Sequence, residues 1–319
     1  MGNITDFGNL LSSKNRTASC SDQVRGINGG GNPNTNVIEY LTIAQTGNAV
    51  DFGNLTRKKY ASYGGISSRT RGILPGGYYY NEPGGPGTYT DEMDAITISI
   101  QSNAFDFGDL VQGNRAEPGS AANETRGIIF GGRSGPSPLV YTNTITYVQI
   151  ATLGGGIDFG DMSAGYQNPT GTASQTRLVM GTGEAPSGNY NSLEYITIST
   201  LGNAADFGDI SDARREAMGS SNAVRGLIAG GGDTSGGGGV NTIEFVTIAT
   251  LGNSKDFGDL TYTSNRDGAS GASATRGIVG AGGDPFASPY AKTDIIVETP
   301  NGPDAQKKDI AWIRRRLKK

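Results

Sequence analysis

Runs of alternating apolar and polar residues recur along the chain about every fifty residues. The clearest is NTIEFVTIATLG (241–252), with counterparts NVIEYLTIAQTG, MDAITISIQS, NTITYVQIATLG and NSLEYITISTLG. Period-two alternation in β-branched and aromatic residues predicts a strand. Ahead of each run lies a shorter apolar stretch opened by arginine and closed by glycine: RGINGGG, RGILPGG, RGIIFGG, RLVMGTG, RGLIAGGG and RGIVGAGG. A small-residue stretch such as AMGSSN (217–222) precedes that, and a DFGDL-type segment ends the unit. Each unit therefore predicts four strands joined by tight turns. No unit holds a ten-residue run of period 3.6, which excludes a helical solenoid.

The tripeptide DFG begins at Asp6, Asp51, Asp106, Asp158, Asp206 and Asp256, at intervals of 45, 55, 52, 48 and 50 residues. In protein kinases that tripeptide holds magnesium. Six copies at a steady beat, with no phosphate-binding loop, make it a structural unit instead. Phe7, Phe52, Phe107, Phe159, Phe207 and Phe257 are each followed by an aliphatic residue (Leu10, Leu55, Leu110, Met162, Ile210, Leu260). That pairing predicts packing between neighbouring units.

Four strands per unit and units near fifty residues describe the blades of a β-propeller. MGNITDFGNL (1–10) aligns without a gap with LGNAADFGDI (201–210). The chain thus starts on a fourth strand and reaches a third strand near Thr299. Joining the two completes a sixth blade and removes an open sheet edge. The expected architecture is an all-β, six-bladed propeller over residues 1–300, closed by the N-terminal strand, with a basic tail at 301–319.

Arg25, Arg71, Arg126, Arg177, Arg225 and Arg276 keep the same beat. Ion pairing between blades, to the DFG aspartate or to the glutamate of the alternating strand, is the expectation for them. A ring of arginines binding an anionic sugar or phosphate is the alternative.

Composition narrows the chemistry. Histidine is absent, which removes the commonest metal ligand and general base; Cys20 is the single cysteine, so no internal disulfide forms. Glycine, 52 of 319 residues, is about twice average usage without a three-residue period. No apolar run approaches the ~20 residues of a membrane span, and residues 1–10 do not resemble a signal peptide. Copper-oxidase chemistry lacks its histidines, and no S-x-D-x-G-x-x-W box, G-x-S-x-G elbow or phosphate loop occurs. The expectation is a protein that is not an enzyme and carries no metal or cofactor, with a carboxylate-paired glycosidase as the weakest alternative.

Binding residues are expected in the loops between second and third strands, the segments that vary most in length. Tyr78, Tyr79, Tyr80, Tyr89, Tyr141, Tyr190, Phe286 and Tyr290 concentrate there. Variable loops rich in Tyr, Gly, Ser and Asn on a constant scaffold have the composition of a recognition surface, and packing of the loops on themselves is the alternative. The tail carries +5 of a whole-chain −4, leaving −9 on residues 1–300. A helix capped by Asp304 would place Ile310, Ile313 and Leu317 on one side, with Trp312 beside them. Lys307, Lys308, Arg314, Arg315 and Arg316 make it basic. Docking on a partner protein is expected; the acidic body argues against nucleic acid or an anionic membrane.

The units resemble kelch or galactose-oxidase-like propellers over residues 1–300. The pattern R-G-I-x-x-G-G … N-T-I-E-Y … G-N-A-x-D-F-G-D-L, carried best by residues 225–260, is similar to glycine-rich repeats of virion structural proteins of tailed phages, especially marine ones. The resemblance implies a propeller fold and a virion location after assembly in the host cytoplasm. It implies other virion proteins as partners through the tail, and a host-surface glycan or protein at the loops. An architectural decoration or adaptor protein is the second reading. The segments at Arg177-Leu178 and KTDIIVETPNG depart from the pattern.

Overall fold

The computed structural model describes residues 5–60, 62, 64–80, 87–111, 117–134, 139–233, 238–264, 266–272, 276–283 and 292–297. Every regular element among them is a β-strand. The expected helical tail at 301–319, like Phe286 and Tyr290, lies outside the described residues.

The fold is an all-β propeller. Five four-stranded antiparallel blades are each built from consecutive strands, within residues 18–59, 66–109, 119–161, 170–209 and 218–264. A further four-stranded sheet is composite: Arg266–Ala272, Arg276–Gly283 and Lys292–Val297 are completed by Thr5–Asn9 from the other end of the chain. The gapless alignment of 1–10 with a later fourth strand requires that placement. Consecutive inner strands touch all the way round, and Arg266–Ala272 returns to Ala18–Ser21.

The small-residue stretches form these inner strands because blades crowd together at the axis. A Cβ on Gly119 would stand 2.6 Å from the Pro169 carbonyl of the following blade. Hydroxyls then stitch blade to blade. Ser67 donates to the Ser21 carbonyl at 2.7 Å, Ser120 to Gly65 at 2.9 Å and Ser221 to Ala173 at 2.9 Å. The seam of the ring uses the same device: Ser19 Oγ accepts from the Ser270 amide at 3.0 Å and Ser21 Oγ from Ala272 at 2.9 Å.

The hydrophobic core lies between blades. Phe7, Phe52, Phe107, Phe159, Phe207 and Phe257 are 2–5% exposed. Each belongs to an apolar cluster shared with the next blade: Phe159 and Met162 pack with Leu178 and Ile196, and Phe207 and Ile210 with Ile228 and Val246. Phe7 and Leu10 pack with Leu41 and Ile43 in the same way. Within its own blade the ring meets an aromatic edge-on, as Tyr195 meets Phe207 at 6.2 Å. Asp51, Asp106, Asp158, Asp206 and Asp256 are exposed, and no metal-binding group is found among the described residues.

Four of the repeated arginines reach the next blade, but not to a carboxylate. Arg25 Nη1 donates to the Ile98 carbonyl at 2.8 Å, Arg71 to Ile150 at 2.8 Å, Arg126 to Ile198 at 2.7 Å and Arg177 to Ile248 at 3.0 Å. Each guanidinium also lies over an aromatic ring of its own blade, as Arg177 does over Tyr195 at 4.5 Å. The expected ion pairs are therefore replaced by carbonyl capping, because the buried end of each third strand leaves that carbonyl without a ladder partner. The side chain of Arg276 is outside the described residues.

Candidate binding face

Carboxylates of the alternating strands serve the linkers that enter their blades. Glu39 Oε2 accepts the Leu11 amide at 2.7 Å, Asp94 Oδ1 the Thr56 amide at 2.9 Å and Glu244 Oε1 the Ser211 amide at 3.0 Å. Three of these linkers also bring in a cation eight residues after the DFG aspartate. Lys14 pairs with Glu39 at 2.6 Å, Lys59 with Asp94 at 2.7 Å, and Arg214 with Glu244, all nearly inaccessible to water. Burial pushes the Asp94 carboxyl up, but the Lys59 charge and the bonds from Lys59 and Thr56 outweigh it and hold the group below the usual carboxylate range.

One residue further along, four linkers pair with the loop between second and third strands of the blade they are entering. Asn15 bridges Asn32, Tyr60 bridges Tyr78, Gln167 bridges Glu184 and Arg215 bridges Gly232. Linkers and variable loops thus share one face, as the up-and-down connectivity requires. Immediately after the bridge, Arg16, Asn168 and Glu216 adopt left-handed backbone, at φ of 57°, 54° and 60°. Glu117 does the same at 59°. Non-glycine residues in this conformation are uncommon. Asn168 and Glu216 line the end of a central channel of ≈ 360 Å³ whose walls are the Ser/Gly/Ala-rich inner strands.

On this face, the extended hairpin Arg71–Tyr80 and Gly87–Thr97 gathers four tyrosines. Tyr78 lies 4.9 Å from Tyr89 and 5.5 Å from Tyr80, and Tyr60 meets Tyr78 at 5.3 Å. Tyr60 and Tyr80 join hydroxyls at 3.1 Å. Burial, then that hydrogen bond, pushes the Tyr60 phenol above its ordinary range. Tyr79 turns away to lie under Arg57 at 4.6 Å. Tyr190 stacks on buried Tyr166 at 4.9 Å, and Tyr141 sits half-buried in a short hairpin opposite Arg133. Among the described residues the predicted aromatics therefore divide between the tyrosine hairpin and the Tyr190–Tyr166 pair, with Tyr141 in a short hairpin of its own.

Between those groups lies a polar network none of whose residues was nominated from sequence. Arg133 Nη2 donates to Glu117 Oε1 at 2.7 Å, and the Asn168 amide donates to the Glu117 carbonyl at 2.9 Å. Asn168 Nδ2 donates to Glu216 Oε1 at 3.1 Å. Gln167 Nε2 donates to Glu184 Oε2 at 2.6 Å, and Arg215 pairs with the same oxygen. Burial is the main cause pushing the Glu117 carboxyl up, against the pull of Arg133 and Arg16. For part of the network a sequence signal existed: three units place unrelated polar pairs (Asn-Arg, Gln-Asn, Arg-Glu) nine and ten residues after the DFG aspartate, whereas Glu117 lies eleven after Asp106.

No protein-family profile matches the chain, and no curated protein matches it. Among solved structures it is similar to one described as "Structure of YjhT", with a TM-score of 0.75 and 10% identity over 92% of this chain and 97% of that one. At such low identity the likeness concerns the propeller fold alone. No helix among the described residues is long and apolar enough to cross a membrane.

Proposed function

We propose that the chain is a non-enzymatic binding module of a phage particle, a kelch-like propeller of six blades whose variable-loop face recognises a host-surface glycan or protein. The observation that carries this reading is the division of the molecule. Its framework recurs from blade to blade, in the arginine–carbonyl caps of four blades and the buried linker carboxylates Glu39, Asp94, Glu194 and Glu244. The side chains at the equivalent exposed positions on one face differ from blade to blade. A conserved frame with variable contacts on one side suits recognition. The virion setting rests on the resemblance of residues 225–260 to phage repeat proteins, and the basic tail, with its apolar side, would be the anchor.

Absence of catalytic machinery is part of the proposal. The buried carboxylates Glu39, Asp94, Glu194 and Glu244 are each engaged by a linker amide, hydroxyl or cation. Mass spectrometry of gradient-purified particles from the source culture tests the setting: the chain is expected at stoichiometric yield, and its absence would overturn it. Omitting residues 301–319 should abolish incorporation into particles while the propeller stays folded. Retained incorporation would move the assembly contact to the propeller and favour the architectural reading.

A further inference from the structure

The network that reaches the channel mouth through Asn168 and Glu216 contains buried polar atoms that the described residues do not satisfy. Glu117 Oε2, Asn168 Oδ1, Gln167 Oε1 and Arg133 Nε have no hydrogen-bond partner among the described residues. Glu117, Asn168 and Gln167 are 2%, 4% and 8% exposed, so bulk water does not simply solvate them. Orphaned buried polar groups are costly, and in native proteins they mark a bound water, ion or ligand.

Charge argues against an ion. The network holds three carboxylates (Glu117, Glu184, Glu216) and three guanidiniums (Arg16, Arg133, Arg215). They already face one another: Arg133 on Glu117 at 2.7 Å, Arg215 on Glu184 and within 3.9 Å of Glu216, Arg16 close enough to Glu117 to draw its ionisation down. A cation would meet the guanidiniums and an anion the carboxylates. What is missing is three donors and one acceptor. Hydroxyl groups offer both, and several on one small rigid frame would satisfy the set together. Beside the network, Tyr190 over Tyr166 offers a half-buried ring for an apolar face.

We infer that the mouth of the central channel, around Glu117, Gln167, Asn168 and Arg133, is a binding site for a neutral polyhydroxylated ligand, a saccharide without a charged substituent. This deepens the proposed function and rests on its reading of that face as the recognition surface. It moves the specific contacts from the tyrosine hairpin to the linker residues.

The test is isothermal titration of the full chain with glucose, galactose, mannose, N-acetylglucosamine and trehalose, with galacturonate and glucosamine as charged controls. At least one neutral sugar is expected to bind, and to bind more tightly than either control. Affinity should fall at least tenfold in Asn168→Gly, which keeps the left-handed backbone, and in Glu117→Gln. Leu251→Ser, on an exposed turn of the opposite face, should bind as the wild type does. Circular dichroism establishes that each variant is folded; if Glu117→Gln unfolds, Asn168→Gly decides. Tighter binding of a charged control, or unchanged affinity in folded mouth variants, overturns the inference. Loss only in Tyr80→Ala would also overturn it while leaving the face as the recognition surface. If no sugar binds the wild type the inference fails, and particle mapping of that face judges the broader reading separately.

Discussion

Asn203 Oδ1, in the turn between third and fourth strands of one blade, accepts the backbone N–H of Asp161 on the outer strand of the preceding blade at 3.0 Å. The same turn returns two more bonds: Gly202 N–H to the Phe159 carbonyl at 2.9 Å and Ala204 N–H to the Asp161 carbonyl at 2.8 Å. Asn253 repeats it on Asp209, and Asn103 on Asn54. An outer strand would otherwise present unpaired backbone to solvent. The G-N-A and D-F-G motifs are thus two halves of one joint, and this explains why they recur together.

Gly208, in the DFG segment of one blade, stands at φ 141°, and an added Cβ would lie 2.7 Å from the Gly252 carbonyl oxygen of the next turn. Strain and clash act together at this position. Gly208→Ala is expected to cost about 3 kcal/mol or more. Asn253→Ala, which removes one partly solvated bond, should cost about 1 kcal/mol. Equilibrium urea unfolding of the two variants checks the order; equal effects would mean the joint is not close-packed.

The buried pair Lys59–Asp94 sets a pH dependence. Because the folded state holds the Asp94 carboxyl below its ordinary range, the contribution is complete above that range and lost as pH falls through it, below about pH 4. Glu117 has the opposite sign: its raised carboxyl lowers stability as pH rises beyond the ordinary glutamate range. Unfolding midpoints across pH should show a weaker acid loss in Asp94→Asn than in wild type. Lys59→Met leaves a buried unpaired carboxylate and should cost about 3–5 kcal/mol near neutrality.

Thr182 occupies a left-handed position, φ 59°, that Gly30, Gly131 and Gly230 fill in other blades, and its buried hydroxyl has no partner among the described residues. This is the G-T-G departure seen in the sequence. Thr182→Gly is expected to stabilise the protein by about 1 kcal/mol. A lowered melting temperature would show that the hydroxyl is used.

Cys20 is buried on an inner strand, and burial followed by the nearby Asp22 charge pushes its thiol up to about 12. The thiolate is the reactive form. Ellman's reagent should label Cys20 only on global unfolding, at the rate measured by fluorescence; rapid labelling of the folded protein would contradict its placement.

Much of the fold was legible because it repeats. A lone DFG has several readings, but six with arginine and I-E-Y markers in register leave one, and the end-to-end alignment located Thr5–Asn9. The arginine partners were not legible: a backbone carbonyl leaves no trace in residue type, whereas a glutamate nearby in sequence invites a pairing. The site was obscured for a related reason. Tyrosine-rich loops of changing length attract notice, while Gln167-Asn168 and Arg215-Glu216 sit in linkers of nearly constant length. Only the bridges to Glu184 and Gly232 reveal that they reach the same face.

Hydroxyl-radical footprinting of the isolated protein and of the same protein within purified particles tests the central claim most directly. A recognition module displayed on a particle predicts that Tyr80 and Tyr89 react equally in both states and lose reactivity only when the particle binds host cells. Protection of those tyrosines in the free particle would contradict it, since the variable face would then be buried against neighbouring subunits.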